Sequence, residues 1–232
     1  YGNFVMLSVP LFIFAAELMN AGQMTDKLFG FANLLVGQMR GGLAQVNIVA
    51  SVIFAGMSGS ALADAAGPGK ISIDMMVRAG YRPGFAAALT ACSSILGPII
   101  PPSIPMVLYG VVSSTSIGYL FMGGIGPGLF IASLLMIVVG IQARIQNFPT
   151  QPRPTRKETI AITRDAVPTL FLPVILLGGM YGGVFTPTEA AALATAYAFF
   201  VSVVLYRSIS AREAYAALLS SGRSMASVGI LV

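Results

Sequence analysis

The stretch from Ile95 to Gly110, ILGPIIPPSIPMVLYG, places Pro98, Pro101, Pro102 and Pro105 in a run without a charged residue. It constrains the fold more than any other segment. Each proline removes a backbone donor and clashes with the carbonyl four residues earlier, at about 3 kcal/mol in a helix interior. The surroundings are those of a membrane protein: 56% of the residues are hydrophobic, 9% are charged and the mean hydropathy is +0.85. Soluble domains carry about 25% charged residues, so lipid is the solvent for most of this chain. A helix broken inside lipid is tolerated only where protein or a water-filled cavity satisfies the freed amides and carbonyls.

The net charge is +5, from 13 Lys and Arg against 8 Asp and Glu. The basic residues are scattered between apolar runs and line no amphipathic face, so nucleic acid is not an expected partner. With no histidine and the single cysteine Cys92, an intrachain disulfide is excluded and little remains for a zinc or haem site. Gly56-Met57-Ser58-Gly59 matches the GxSG pattern of rhomboid intramembrane proteases, but no histidine is present to act as the general base. The segment Ala66 to Ile71 departs from a phosphate loop at two defining positions. An enzyme is not expected.

About 20 apolar residues span a bilayer as a helix, and five runs qualify: Phe4 to Met24, Gly84 to Thr115, Tyr119 to Ala143, Ala166 to Phe185 and Thr188 to Tyr206. Leu28 to Met39 reads as an amphipathic helix at the interface. The passage Gly42 to Met76 breaks at MSGSALAD into two arms of about 15 residues, each reaching only some 22 Å at 1.5 Å per residue. If the passage is a re-entrant hairpin, Lys27, Arg40, Lys70, Arg78 and Arg82 share a face with Arg144, Arg153, Arg156, Lys157, Arg164, Arg207, Arg212 and Arg223. All basic residues are then cytoplasmic, whereas a single crossing would divide them between the two faces. The polar stretch Gln146 to Asp165 reads as a cytoplasmic linker between two structural units.

Half-helix N-termini direct positive dipole ends at anions, while unwound carbonyls and half-helix C-termini coordinate cations. On that principle the prolines keep a helix open so that the carbonyls of Gly97, Pro98 and their neighbours face a cation. A plain kink between packed helices is the alternative.

The stretch FAGMSGSALADAAG, then GYRPGFAAALTACSSILGPIIPPSIPMVLYG and GGVFTPTEAAALATAYA, resembles the DctM-type large membrane subunit of tripartite ATP-independent periplasmic (TRAP) transporters, over nearly all 232 residues. The resemblance implies an all-α, multi-pass protein of the bacterial cell inner membrane in the ion-transporter superfamily. It also implies two inverted repeats, and an elevator part carrying re-entrant hairpins that moves against a scaffold. Such proteins couple Na⁺ entry to uptake of a small organic anion delivered by a soluble periplasmic binding protein, together with a small membrane subunit. By resemblance Ser58, Gly59 and Ser60 form the first hairpin tip, facing a broken helix at Gly97, Pro98, Pro101, Pro102 and Ser103. The candidate Na⁺ ligands are thus Ser58, Gly59, Ser60, Gly97, Pro98, Pro101 and Ser103, and the candidate substrate contacts are Ser60, Asp64, Pro102 and Ser103. A stand-alone carboxylate carrier that needs no binding protein is the alternative within transport, and an intramembrane protease the alternative outside it.

The organisation expected is a scaffold helix and arm helix over residues 1–41 and a transport part over 42–118, with the hairpin at 42–77 and the broken helix at 84–115. A transmembrane helix at 119–145 and the linker at 146–165 follow, and a second repeat starts at 166. The chain reads as a fragment, with the second hairpin expected beyond Val232. Asp64, one turn into the second hairpin arm, could neutralise Na⁺ or complement a helix dipole. Lys70 reads as snorkelling to the interface. Glu17 and Asn20 lie inside the first crossing, where an ionisable residue is a functional candidate; Glu17, ten residues before Lys27, reads instead as an interface hydrogen bond to a neighbouring helix or subunit, and Thr186-Pro187-Thr188-Glu189 reads as a capping box.

Overall fold

In the computed structural model, which describes residues 4–146, 148, 150 and 154–229, all regular structure among the described residues is helical. Arg153 and Val232 lie outside the described residues. The helices are α1 (Ser8–Ala21), α2 (Met24–Val36), α3 (Gly42–Ser58), α4 (Ala61–Ala66), α5 (Pro68–Arg78), α6 (Pro83–Ser94), α7 (Ile104–Ser113), α8 (Ile117–Ile145), α9 (Arg156–Tyr181), α10 (Pro187–Phe200) and α11 (Ala211–Gly229). A 3-10 turn at Phe4–Leu7 leads into α1, and a π turn at Val201–Leu205 ends α10. Among the described residues, Phe4–Ala21, Ile117–Ile145, Arg156–Tyr181 and Pro187–Leu205 are long and apolar enough to cross a bilayer. Four of the five expected crossings are therefore continuous helical stretches. The fifth, Gly84 to Thr115, is divided into α6 and α7.

The first crossing ends at Gly22, where Gln23 takes a left-handed conformation (φ 57°) and turns the chain into α2. The amphipathic stretch forms α2, which buries Leu28, Phe29, Ala32 and Val36 and packs against α3 and α9. The passage from Gly42 folds back on itself. α3 runs to Ser58, Gly59 and Ser60 make the turn, and α4 and α5 return so that Met76 and Tyr81 share a core with Leu43 and Ala44. The pair Gly67-Pro68 breaks the returning arm: Gly67 ends α4 and Pro68 opens α5, while the Asn20 side chain occupies the space a Cβ on Gly67 would fill.

The helix after the linker begins earlier than its hydropathy suggests. Thr155 and Glu158 form a reciprocal capping box, with Thr155 N–H donating to Glu158 Oε2 at 2.7 Å, so α9 starts at Arg156 inside the expected linker. Its first turns stay polar, and Lys27 pairs with Asp165 at 3.1 Å to tie them to α2.

A ladder of hydroxyls joins α10 to α1. Thr188 Oγ1 donates to the Phe4 carbonyl at 3.2 Å, Thr195 Oγ1 to Leu11 at 2.8 Å and Ser202 Oγ to Leu18 at 3.4 Å. The partners keep a constant separation of 184 residues, so the two helices run parallel and in register at heptad spacing. Ala190, Ala191, Ala194 and Ala198 are buried along the seam and allow the backbones to approach closely enough for the hydroxyls to reach. Glu17 accepts from Ser220 Oγ of α11 at 3.1 Å, and Asn20 Oδ1 accepts from Thr25 Oγ1 at 3.1 Å. The polar residues of the first crossing thus hydrogen-bond to α11 and to the start of α2.

Candidate functional site

Two interruptions of regular helix meet face to face. The first is the hairpin tip: α3 ends at Ser58, and Gly59 adopts φ +62°, a left-handed conformation that glycine takes without the penalty of a Cβ. Ser60 is then extended and caps α4, its hydroxyl accepting from Ala63 N–H at 3.3 Å. The second is the passage from Ile95 to Ser103, which descends through tight turns such as Leu96 N–H to Ser93 O at 3.0 Å and Ile100 N–H to Leu96 O at 2.8 Å. Ser103, in almost the same extended conformation as Ser60, caps α7 by accepting from Met106 N–H at 3.3 Å, and its hydroxyl donates to Pro98 O at 2.6 Å. Pro105 falls in the first turn of α7, where its missing N–H costs nothing.

The interruptions touch through their backbones. Ile104 N–H donates to Gly59 O at 3.2 Å. A Cβ on Gly59 would strike Pro102 O, and one on Gly97 would lie 2.8 Å from Ser60 C and 3.0 Å from Ala61 N. Only glycine permits either approach. The structure therefore brings together Ser58, Gly59, Ser60, Gly97, Pro102 and Ser103 directly, with Pro98 joined through the Ser103 hydroxyl and Pro101 adjacent in the chain. Among the described residues, the carbonyls of Gly56, Met57, Ser58, Gly97, Pro101 and Pro102 take no backbone donor outside regular helix, and Ser58 Oγ is buried without a partner. The C-terminal end of α3 and the open turn thus present oxygen atoms, while the N-terminus of α7 presents its positive dipole end.

Asp64 departs from the expected cluster. Its side chain is 1% exposed, lies one turn behind the tip and packs against Ser51 of α3 and Ser94 of α6. It is directed into the hairpin, away from the Gly59 and Pro102 junction. The reason is the cap: with Ser60 at the N-cap, position 64 falls on the face of α4 that packs against α3 and α6. Lys70 is exposed, as snorkelling requires. The Thr186 and Glu189 capping box forms as its spacing predicts, with Thr186 N–H donating to Glu189 Oε2 at 2.8 Å.

Residues 1–232 match the family model described as the tripartite ATP-independent periplasmic transporter, DctM component. The chain is 44% identical over 230 residues to the sialic acid TRAP transporter large permease protein SiaM of Vibrio cholerae, covering 99% of this chain and 54% of that protein. It is 42% identical over 221 residues to the C4-dicarboxylate TRAP transporter large permease protein DctM of Pseudomonas aeruginosa, with coverages of 95% and 52%. To the ectoine/5-hydroxyectoine TRAP transporter large permease protein UehC of Ruegeria pomeroyi it is 43% identical over 227 residues, with coverages of 98% and 53%. The chain spans about half the length of these curated relatives.

Proposed function

The chain belongs to the DctM family of TRAP transporters, and from that premise we propose that it carries one half of the ion-coupling site of a large permease subunit. In this reading it is a multi-pass inner-membrane protein that couples Na⁺ entry to uptake of a small organic anion. A periplasmic binding protein delivers the anion, and a small membrane subunit completes the transporter. Relatives named for sialic acid, C4-dicarboxylates and ectoine are about equally similar to this chain.

The observation that carries the reading is the junction of Gly59 with Pro102 and Ile104. The two segments that meet there carry helix-end carbonyls that take no backbone donor outside regular helix and the unpartnered Ser58 hydroxyl, without a charged side chain, a donor set that suits a monovalent hard cation. Ser58, Gly59, Ser60, Gly97, Pro98, Pro101 and Ser103 are the proposed Na⁺ ligands. Ser60, Pro102 and Ser103, beside the N-terminus of α7, are the proposed substrate contacts from this half, the dipole there favouring an anionic group.

The parallel seam between α1 and α10 supports a re-entrant hairpin. With a hairpin, α1 and α10 belong to the first and fifth crossings and run the same way; a single crossing by α3 to α5 would make them first and sixth and antiparallel. Their register at a constant separation favours the former. The elevator motion belongs to the same proposal: α1, α10 and α11 form the scaffold, and the hairpin with α6 and α7 moves.

The test is reconstitution of the full-length subunit with its small membrane subunit in liposomes. An inward Na⁺ gradient and the binding protein should together drive anion uptake. Uptake of equal rate without the binding protein would favour a stand-alone carrier, and uptake indifferent to Na⁺ would overturn the coupling.

A further inference from the structure

Inside the hairpin, the hydroxyl protons of Ser51, Ser93 and Ser94 go to acceptors other than the Asp64 carboxylate. Thr90 O accepts from Ser93 Oγ at 3.1 Å and from Ser94 Oγ at 2.9 Å, which uses the hydroxyl protons of Ser93 and Ser94. Ser93 Oγ in turn accepts from Asn47 Nδ2 at 3.1 Å and from Ser51 Oγ at 3.1 Å. The Ser51 proton is therefore spent as well, since Ser93 has none left to give. Asp64 lies against Ser51 and Ser94, yet both carboxylate oxygens are buried without a hydrogen-bond partner.

Two more oxygens are in the same condition: Thr90 Oγ1 and Ser72 Oγ are buried and unpartnered. Thr90 and Asp64 both press on Gly69, where a Cβ would lie 2.6 Å from Thr90 Cγ2 and 3.0 Å from Asp64 O. No lysine or arginine pairs with Asp64 among the described residues, where Lys27 and Asp165 make the ion pair. Helix α3 has no titratable group, Lys70, Asp74 and Arg78 of α5 and Cys92 of α6 are exposed, and Glu17 of α1 is bonded to Ser220. A buried carboxylate with neither a hydrogen bond nor a counter-charge is strongly unfavourable on its own, and one positive charge shared with the neighbouring hydroxyl oxygens resolves it.

We propose that Asp64, with the hydroxyl oxygens of Ser51, Ser94 and Thr90, binds a monovalent metal cation, Na⁺, at a site inside the hairpin distinct from the junction at Gly59 and Pro102. A single carboxylate matched by a single positive charge leaves the apolar interior neutral, whereas a divalent ion would leave a net positive charge there. The inference takes only the identity of the ion from the Na⁺-coupled reading.

The experiment is thermal unfolding of the full-length subunit with its small membrane subunit in detergent, without anion substrate, in sodium chloride or choline chloride. Sodium should raise the melting temperature of the wild type by preferential binding to the folded state. Asp64→Asn should lose most of that rise and should melt above the wild type in choline, because a neutral amide replaces a buried carboxylate that lacks a counter-charge. Ser103→Ala, at the junction, should lose only part of the rise. Thr90→Val, equal in size but lacking the oxygen, should need severalfold more sodium for half of the rise. A wild-type sodium response in both Asp64→Asn and Thr90→Val would overturn the site. So would a wild-type protein in choline that gains as much from lowering the pH from about 8 to about 6 as it gains from sodium, since a proton would then be the occupant. Uptake indifferent to Na⁺ alongside an Asp64-dependent sodium response would reject the coupling and leave the site standing.

Discussion

The backbone N–H of Ile104 donates to the carbonyl of Gly59 at 3.2 Å, so the tip of the α3 and α4 hairpin is bonded to the first residue of α7. The bond requires two glycines. Gly59→Ala would place a methyl group against Pro102 O in a left-handed conformation, and Gly97→Ala would force one between Ser60 and Ala61. The left-handed conformation costs about 1–2 kcal/mol, and overpacking against backbone about 1–3 kcal/mol. Both variants should melt lower and lose uptake. Gly123→Ala, where nothing lies within 4 Å of the added methyl, should change neither. Melting temperature and uptake, measured on all three full-length variants, check this.

The seam between α1 and α10 should matter for stability and not for coupling. Hydrogen bonds of this kind between membrane helices contribute about 0.6 kcal/mol on average and at most about 1.7. Thr195→Val removes the donation to Leu11 O and should lower the melting temperature by a corresponding few degrees. The Na⁺ concentration for half-maximal uptake should stay that of the wild type. A change in Na⁺ dependence without a change in melting would place the seam in the moving part.

How far these features can be read from sequence depends on whether they are local. The break at Ile95 to Ser103 is written in its prolines, because three fall within five residues and remove successive donors. Pro127, Pro168 and Pro173, more widely spaced, lie inside unbroken helices, where neighbouring groups accommodate one lost bond at a time. The capping box at Thr186 and the turn at Gly59 and Ser60 are equally local. The division at Gly67 is local too, written in the Gly67-Pro68 pair, whereas the Asn20 side chain that leaves no room for a Cβ on Gly67 comes from another helix. The hydroxyls of the ladder, Thr188, Thr195 and Ser202, recur every seven residues and are legible as a seam, but their partners lie 184 residues away and neither segment names the other. Asp64 was legible as a polar residue in the first turn of an arm. Its orientation into the hairpin follows from how α4 packs on α3 and α6.

Topology can be tested from outside the cell. If the hairpin enters and leaves by one face, cysteines at Arg40, Arg82 and Lys157, all exposed side chains, should resist a membrane-impermeant thiol reagent applied to intact cells. A cysteine at exposed Gly183 should react. The native Cys92 is also exposed and must first be replaced by alanine. Arg40→Cys and Arg82→Cys labelling from opposite faces would mean that the passage crosses the membrane.

A Na⁺ site between the hairpin tip and the broken helix is tested most directly by the Na⁺ dependence of uptake in Ser60→Ala and Ser103→Ala, reconstituted at full length. Each serine also caps a helix, through Ala63 N–H and Met106 N–H, so each variant should lose about 1 kcal/mol of stability. Ser60→Asn and Ser103→Asn retain a capping oxygen and should recover that loss. If the serine oxygens also meet the ion, losing one neutral ligand weakens binding by about 1 kcal/mol, close to fivefold. The Na⁺ concentration for half-maximal uptake should then rise about fivefold in each alanine variant. A Na⁺ dependence unchanged from wild type in both, with only the melting temperature lowered, would reduce the serines to caps and contradict a Na⁺ site at this junction.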